Sequence, residues 1–146
     1  MGIQSTKAKT LRLIHRRFRP QRFLEGVKLV QKRNVKVMVD LIAGLPGDSL
    51  DDVRRSLDWV LEHDAYDYLM LYPLSLLPST ELRQRSRELG LSAMPHPPYF
   101  VTRTPEMDAV ARSKGVNVGL IDEGVANRTI VKTRNKQHTT NKQIGK

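Results

Sequence analysis

The sequence predicts an α/β protein built on a parallel sheet, and three observations carry that prediction. Two short apolar runs, Val35–Ile42 and Tyr68–Tyr72, have the β-branched and aromatic composition of buried strands. Amphipathic stretches of helical period stand before, between and after them. The order helix, helix, strand, helix, strand, helix, preceded by a strand stub at Gly2–Ser5, is that of βαβ units rather than of hairpins.

Each element has a local reason. In residues 7–17 Leu11 and Ile14, continued by Phe18, recur at helical spacing among arginines. Pro20 suits the first turn of a second helix, whose stripe is Phe23, Leu24, Val27, Leu29 and Val30 and which ends near Arg33-Asn34. The first full strand stops at Gly44, and Gly44, Pro46 and Gly47 mark a turn. Ser49 and Asp52 have the spacing of a capping box, opening a helix that buries Val53, Leu57, Val60 and Leu61. The second strand is ended by Pro73, and Pro78-Ser79-Thr80 opens a helix running to Glu88 and closed by Gly90. With two strands and a stub, both sheet edges are expected to be open. Beyond Leu91 the texture becomes irregular. Val116–Ile121 and Thr129–Val131 are weak strand-like fragments, and the polar, basic stretch 134–146 is expected to be disordered. The division expected is residues 1–106 as the folded unit and 107–146 as an irregular basic tail.

Composition narrows the chemistry. The 146 residues suit one domain, and the sequence has no cysteine, which excludes disulfides, thiolate nucleophiles and any cysteine-ligated metal held by this chain. The four histidines lie far apart and never at ligand spacing. No apolar run is long enough for a membrane span and no signal sequence opens the chain, so a cytoplasmic location with no membrane partner is expected. Net charge is +10 and uneven: residues 1–36 hold 11 Lys/Arg against one acid, Glu25, whereas residues 37–106 hold 6 against 11. The basic tail is a candidate for non-specific nucleic-acid contact, and a small basic nucleic-acid-binding protein is the alternative reading. Stacking aromatics are sparse, which counts against it.

Four motifs, in order, resemble one family. Gly2-Ile3-Gln4-Ser5, then Ile14-His15-Arg16-Arg17-Phe18, then Asp40 with Gly44-Leu45-Pro46-Gly47-Asp48-Ser49, then Tyr72-Pro73-Leu74 with Leu77-Pro78-Ser79-Thr80 are similar to the fourth to sixth strand regions of radical S-adenosylmethionine enzymes. The cobalamin-associated and methylthiotransferase-like branch is the nearest in pattern. Relatives usually have Pro-Gly-Thr where this chain has Pro78-Ser79-Thr80. The resemblance implies the back half of a partial (β/α)6 barrel. It further implies S-adenosylmethionine as cofactor, with a four-iron–four-sulfur cluster held by a cysteine loop in the front half, which is not present here. On this expectation the chain comes from a truncated, split or misannotated gene, is inactive alone, and needs another chain or segment to supply the front half.

The resemblance also assigns roles. Gln4 and Ser5 would meet the ribose or carboxylate of S-adenosylmethionine, and Arg16 the carboxylate through its planar fork. The backbone from Ile42 through Gly44 to Leu45 would contact adenine. Asp40, a carboxylate inside an apolar strand, reads either as a site residue or as a structural ion-pair partner. The glycine turn lacks the spacing of a phosphate loop, and Asp48, Asp51 and Asp52 at the helix start oppose an anion there.

Overall fold

A computed structural model describes residues 1–107 and the strand 129–133. The elements are β1 (Gly2–Gln4), α1 (Ala8–Leu13), α2 (Pro20–Lys32), β2 (Met38–Ala43), α3 (Leu50–Glu62), β3 (Tyr68–Pro73), α4 (Glu81–Gln84), β4 (Ser92–Ala93), β5 (Val101–Arg103) and β6 (Thr129–Thr133). The main sheet has the order β1-β2-β3-β6, and β4 pairs with β5 in a small second sheet. β1, β2 and β3 run parallel, as the alternation of strands and helices predicts. The register of β2 on β3 is continuous from Met38 opposite Tyr68 to Ala43 opposite Pro73.

One edge differs from expectation. β6 pairs antiparallel with β3, placing Ile130 opposite Met70, so β3 is an interior strand and the sheet's edges among the described residues are β1 and β6. A short-range pattern cannot show this, because the pairing joins segments some sixty residues apart in sequence. The folded unit also extends past residue 106. Met107 is buried in the main core, and its N–H donates to Thr104 Oγ1 at 2.9 Å. Val116–Ile121 and residues 134–146 lie outside the described residues.

The period-two alternation of the strands decides the core. Val37, Val39, Leu41, Leu69 and Leu71 are buried together with Val27 of α2 and Val53, Leu57 and Val60 of α3. On the opposite face Met38 and Tyr68 are exposed, and Asp40, Ile42 and Tyr72 are half-buried. Met70 departs from that face's pattern and is buried, flanked by Asp40 and Ile130 in the sheet. A second apolar cluster, Leu45, Leu74, Leu76, Leu91 and Val101, sits beyond the C-terminal ends of the strands.

Helix ends explain where the sequence reading runs long. The helix expected over 7–17 stops at Leu13, because His15 takes a left-handed conformation with φ 54°. Arg16 N–H then donates to Leu11 O at 2.7 Å and His15 N–H to Arg12 O at 3.1 Å, the hydrogen-bond pair of a Schellman cap. Asn34 and Asp64 close α2 and α3 in the same way. At α2 the expected stripe is narrower than drawn, with Leu29 exposed. The helix expected through Glu88 is a single turn, α4, followed by turns to Gly90. The capping box is present in full: Ser49 N–H donates to Asp52 Oδ2 at 2.9 Å, and Asp52 N–H to Ser49 Oγ at 3.3 Å.

Leu77-Pro78-Ser79-Thr80 forms a turn closed by Thr80 N–H to Leu77 O, and Ser79 sits at φ 64°. A turn with proline second and a positive φ third favours glycine in that third place, and a side chain there costs about 1 kcal/mol. Ser79→Gly is therefore expected to stabilise the fold by roughly 0.5 kcal/mol, the relief of strain outweighing the added freedom of the unfolded chain. Paired urea melts measure this, and a destabilised variant would show that the Ser79 side chain holds the turn.

Candidate functional site

The parallel strands end on the same side, where their loops converge, as in other α/β folds that bind ligands. Gln4 stands at the end of β1, Ile42 near the end of β2, and Leu74 just after β3. Together with Arg16, Leu45, His15 and residues of the α4 region they line an open cavity of about 250 Å3. Four of the residues singled out from sequence, Gln4, Arg16, Ile42 and Leu45, thus meet at one place. The cavity floor is continuous with the second apolar cluster, since Leu45 and Leu74 belong to both and Ile42 packs against it.

Gln4 is held unusually. Its backbone has φ 59°, and its Oε1 is buried with no hydrogen-bond partner. A Cβ on Gly2 would meet Gln4 Nε2, so a side chain at that position would displace the Gln4 amide from its present place. Arg16 is exposed at the cavity wall, and among the described residues its guanidinium has no ion-pair or hydrogen-bond partner.

Ser5 is placed elsewhere. It is buried, and its Oγ accepts from Lys7 N–H at 3.1 Å. It belongs to a polar latch that ties the β1–α1 corner to the loop after β2. Lys7 Nζ donates to Gly47 O at 2.7 Å and to Asp52 Oδ2 at 2.6 Å. Thr10 Oγ1 donates to Asp48 Oδ1 at 2.5 Å, and Thr6 N–H to Ser56 Oγ at 3.0 Å. Gly47, at φ 84°, allows this approach: a Cβ there would stand 3.1 Å from Leu13 Cδ1. Gly44, at φ 92°, turns the chain but does not line the cavity. Asp40 is also away from it. One carboxylate oxygen lies 3.6 Å from the Met1 amino group, and the other is buried without a partner.

The two latch carboxylates have opposite electrostatics. Burial pushes the Asp48 carboxyl above its ordinary pKa, more than the hydroxyls of Thr10 and Ser5 lower it, and the nearby Asp52 charge adds to the rise. At Asp52 burial also acts upward. Hydrogen bonds from Lys7, from the Ser49 backbone and hydroxyl, and from Arg55 outweigh it and hold the carboxyl well below the usual range.

Sequence reasoning missed two groups. The latch residues Lys7, Thr10 and Asp48 carry no local signal beyond the acid that follows Gly47. The second group rims the cavity: Arg85 Nη1 lies 3.0 Å from His15 Nε2, 3.2 Å from Leu13 O and 3.3 Å from Glu81 Oε1. Glu81 Oε1 is also 3.0 Å from His15 Nε2. Nε2 accepts from Arg85 in one ring tautomer and donates to Glu81 in the other, so the tautomer decides which contact forms. The Glu81–Arg85 spacing of four was the only hint available.

No family model matches the chain. It is 29% identical over 84 residues to the uncharacterized protein MJ0486 of Methanocaldococcus jannaschii, covering 58% of this chain and 26% of that protein. Among solved structures it is similar to the archaeal Elp3 of Methanocaldococcus infernus with an N-terminal deletion, at a TM-score of 0.53 and 22% identity. That match covers 60% of this chain and 21% of the Elp3 chain. The likeness shows the fold: mixed α/β with three parallel strands, in keeping with the resemblance carried by the motifs.

The latch gives a pH signature. Because its folded pKa is raised, Asp48 contributes stability at pH below its unfolded pKa near 3.8, and that contribution is lost as pH rises through the folded value. Asp52 behaves oppositely, its contribution being lost only as pH falls below about 4. Asp48→Asn is therefore expected to gain stability relative to the native protein as pH rises from 4 to 7. Asp52→Asn is expected to lose about 2 kcal/mol at pH 7 by stranding Lys7. Urea melts across that pH range check both signs.

Proposed function

We propose that this chain forms the S-adenosylmethionine-binding back half of a radical S-adenosylmethionine enzyme. The observation that carries the reading is the meeting of Gln4, Arg16, Ile42 and Leu45 in one cavity at the C-terminal ends of the parallel strands. The fold likeness to Elp3, a member of that family, supports it. The donors fit the cofactor. The partnerless Gln4 oxygen suits a ribose hydroxyl, the free Arg16 guanidinium suits a carboxylate, and Ile42, Leu45 and Leu74 offer an apolar bed for adenine. Ser5 supports the site from beneath, by holding the corner from which Gln4 projects.

When bound, S-adenosylmethionine supplies a 5′-deoxyadenosyl radical in this family. The cluster that reduces it does not fit this chain, which has no cysteine to ligate iron. In this reading the chain is one part of a partial (β/α)6 barrel of the methylthiotransferase-like branch. A cysteine-bearing front half, from another chain or segment, docks at the open β1 edge and completes the activity. Among the described residues no helix is long and apolar enough to cross a membrane, and a cytoplasmic enzyme agrees with that.

Two compounds test the site. S-adenosylmethionine and 5′-methylthioadenosine, which lacks the carboxylate, are both expected to shift NMR signals of Leu45 and Leu74. Arg16→Ala is expected to weaken the first about tenfold or more and to leave the second nearly unchanged, since a charge-assisted pair is worth roughly 1.5–3 kcal/mol. If neither compound perturbs the cavity, the assignment fails. Anaerobic treatment of the isolated chain with iron and sulfide is expected to yield no cluster absorbance, and a stoichiometric cluster would overturn the division of labour between the halves.

A further inference from the structure

We infer that the groove between α1 and the start of α2, which adjoins the cofactor cavity at Arg16, is a second binding site for a small phosphate monoester with a planar or apolar body. The groove has a volume of about 490 Å3 and is lined by Leu11, Phe18 and Pro20 together with Arg12, Arg17 and Arg19. A neighbouring hollow of about 350 Å3 shares Leu11, Arg16, Arg17, Phe18 and Arg19, adds Arg22, and adjoins the cofactor cavity through Gln4 and Arg16. Both volumes are in the range of small-ligand sites.

Charge names the ligand class. Arg12, Arg16, Arg17, Arg19 and Arg22 fall within eleven consecutive residues, and no acid occurs before Glu25. Among the described residues none of these five side chains has an ion pair or a hydrogen bond, whereas Arg54, Arg55 and Arg85 each have a carboxylate partner. Crowded cations without counter-charges repel one another, and a bound dianion removes that repulsion. All five are arginine, whose planar fork, unlike the ammonium of lysine, matches phosphate oxygens in pairs. A phosphate monoester carries about two negative charges at neutral pH, which answers several arginines better than a single carboxylate does.

The apolar wall gives the other half of the ligand. Phe18 is fixed edge-on against Phe23 at 5.5 Å and Trp59 at 5.2 Å between ring centroids. A wall held in this way offers a preformed surface for a planar group beside the arginines. Those same contacts make Trp59, the single tryptophan of the chain, a reporter of the groove. Arg16 borders the cofactor cavity as well and is left intact in the test.

Fluorescence titration of the full chain decides the matter, using adenosine 5′-monophosphate, inorganic pyrophosphate and adenosine as probes. Adenosine monophosphate is expected to change Trp59 emission saturably, pyrophosphate to compete with it, and adenosine to bind at least tenfold more weakly. Arg17→Ala with Arg19→Ala is expected to weaken adenosine monophosphate tenfold or more, the corresponding double lysine variant to recover part of the loss, and Arg54→Ala on α3 to change nothing. Equal binding of adenosine and its monophosphate overturns the inference, as does unchanged affinity in the double alanine variant. No saturable response to the monophosphate or pyrophosphate, with binding only of a ribo-oligonucleotide, overturns it in favour of a polymer backbone. Because Arg16 and Gln4 are untouched, failure here leaves the cofactor reading standing, and failure of that reading leaves this one.

Discussion

The contact between Lys7 and the loop after β2 organises the strand ends of this protein. Its ammonium reaches Gly47 O and Asp52 Oδ2, and so joins the β1–α1 corner to the first turn of α3 across some forty residues of sequence. Asp52 is nearly buried, and a carboxylate so placed is stable only where its oxygens are answered. Lys7, Arg55, the Ser49 hydroxyl and the Ser49 N–H answer them. The capping box is therefore more than a helix start. It is where the helix macrodipole, a lysine from another element and the glycine turn meet.

The loop position that follows from this latch builds the cavity. Gly47 lies close to Thr10 and Leu13, and two residues before it Leu45 is buried with Leu74, Leu76, Leu91 and Val101. That second apolar cluster supports the strand ends from outside the sheet, and the cavity opens on its surface. Asp48 completes the arrangement at a cost, being wholly buried with one oxygen unpartnered and its charge disfavoured. Two acids four residues apart thus do different work. Asp52 is held ionised by donors, and Asp48 is pressed toward neutrality by burial.

The charge layout takes on meaning only with the latch in place. Of the basic residues in positions 1–36, Lys7 and Lys36 meet acids of the middle segment, at Asp52 and Asp67. The arginines at the α1–α2 corner meet none among the described residues. The corner therefore keeps its positive charge beside β1, an edge strand of the sheet.

Much of the fold was legible in the sequence, because its causes are local. The period-two burial of Val37, Val39, Leu41, Leu69 and Leu71 follows from strand geometry, and the Ser49–Asp52 capping box from a spacing of three. The motif order also marked Gln4, Arg16, Ile42 and Leu45, which the structure brings into one cavity. Other features belong to the tertiary structure alone. That Asp48 is buried against Thr10, that His15 meets Glu81 and Arg85, and that β6 pairs with β3 all depend on pairs 38 or more residues apart. No periodicity or spacing records such a pairing. It is set by which loops the parallel strands deliver to the same end of the sheet, and by which buried polar groups must then find one another.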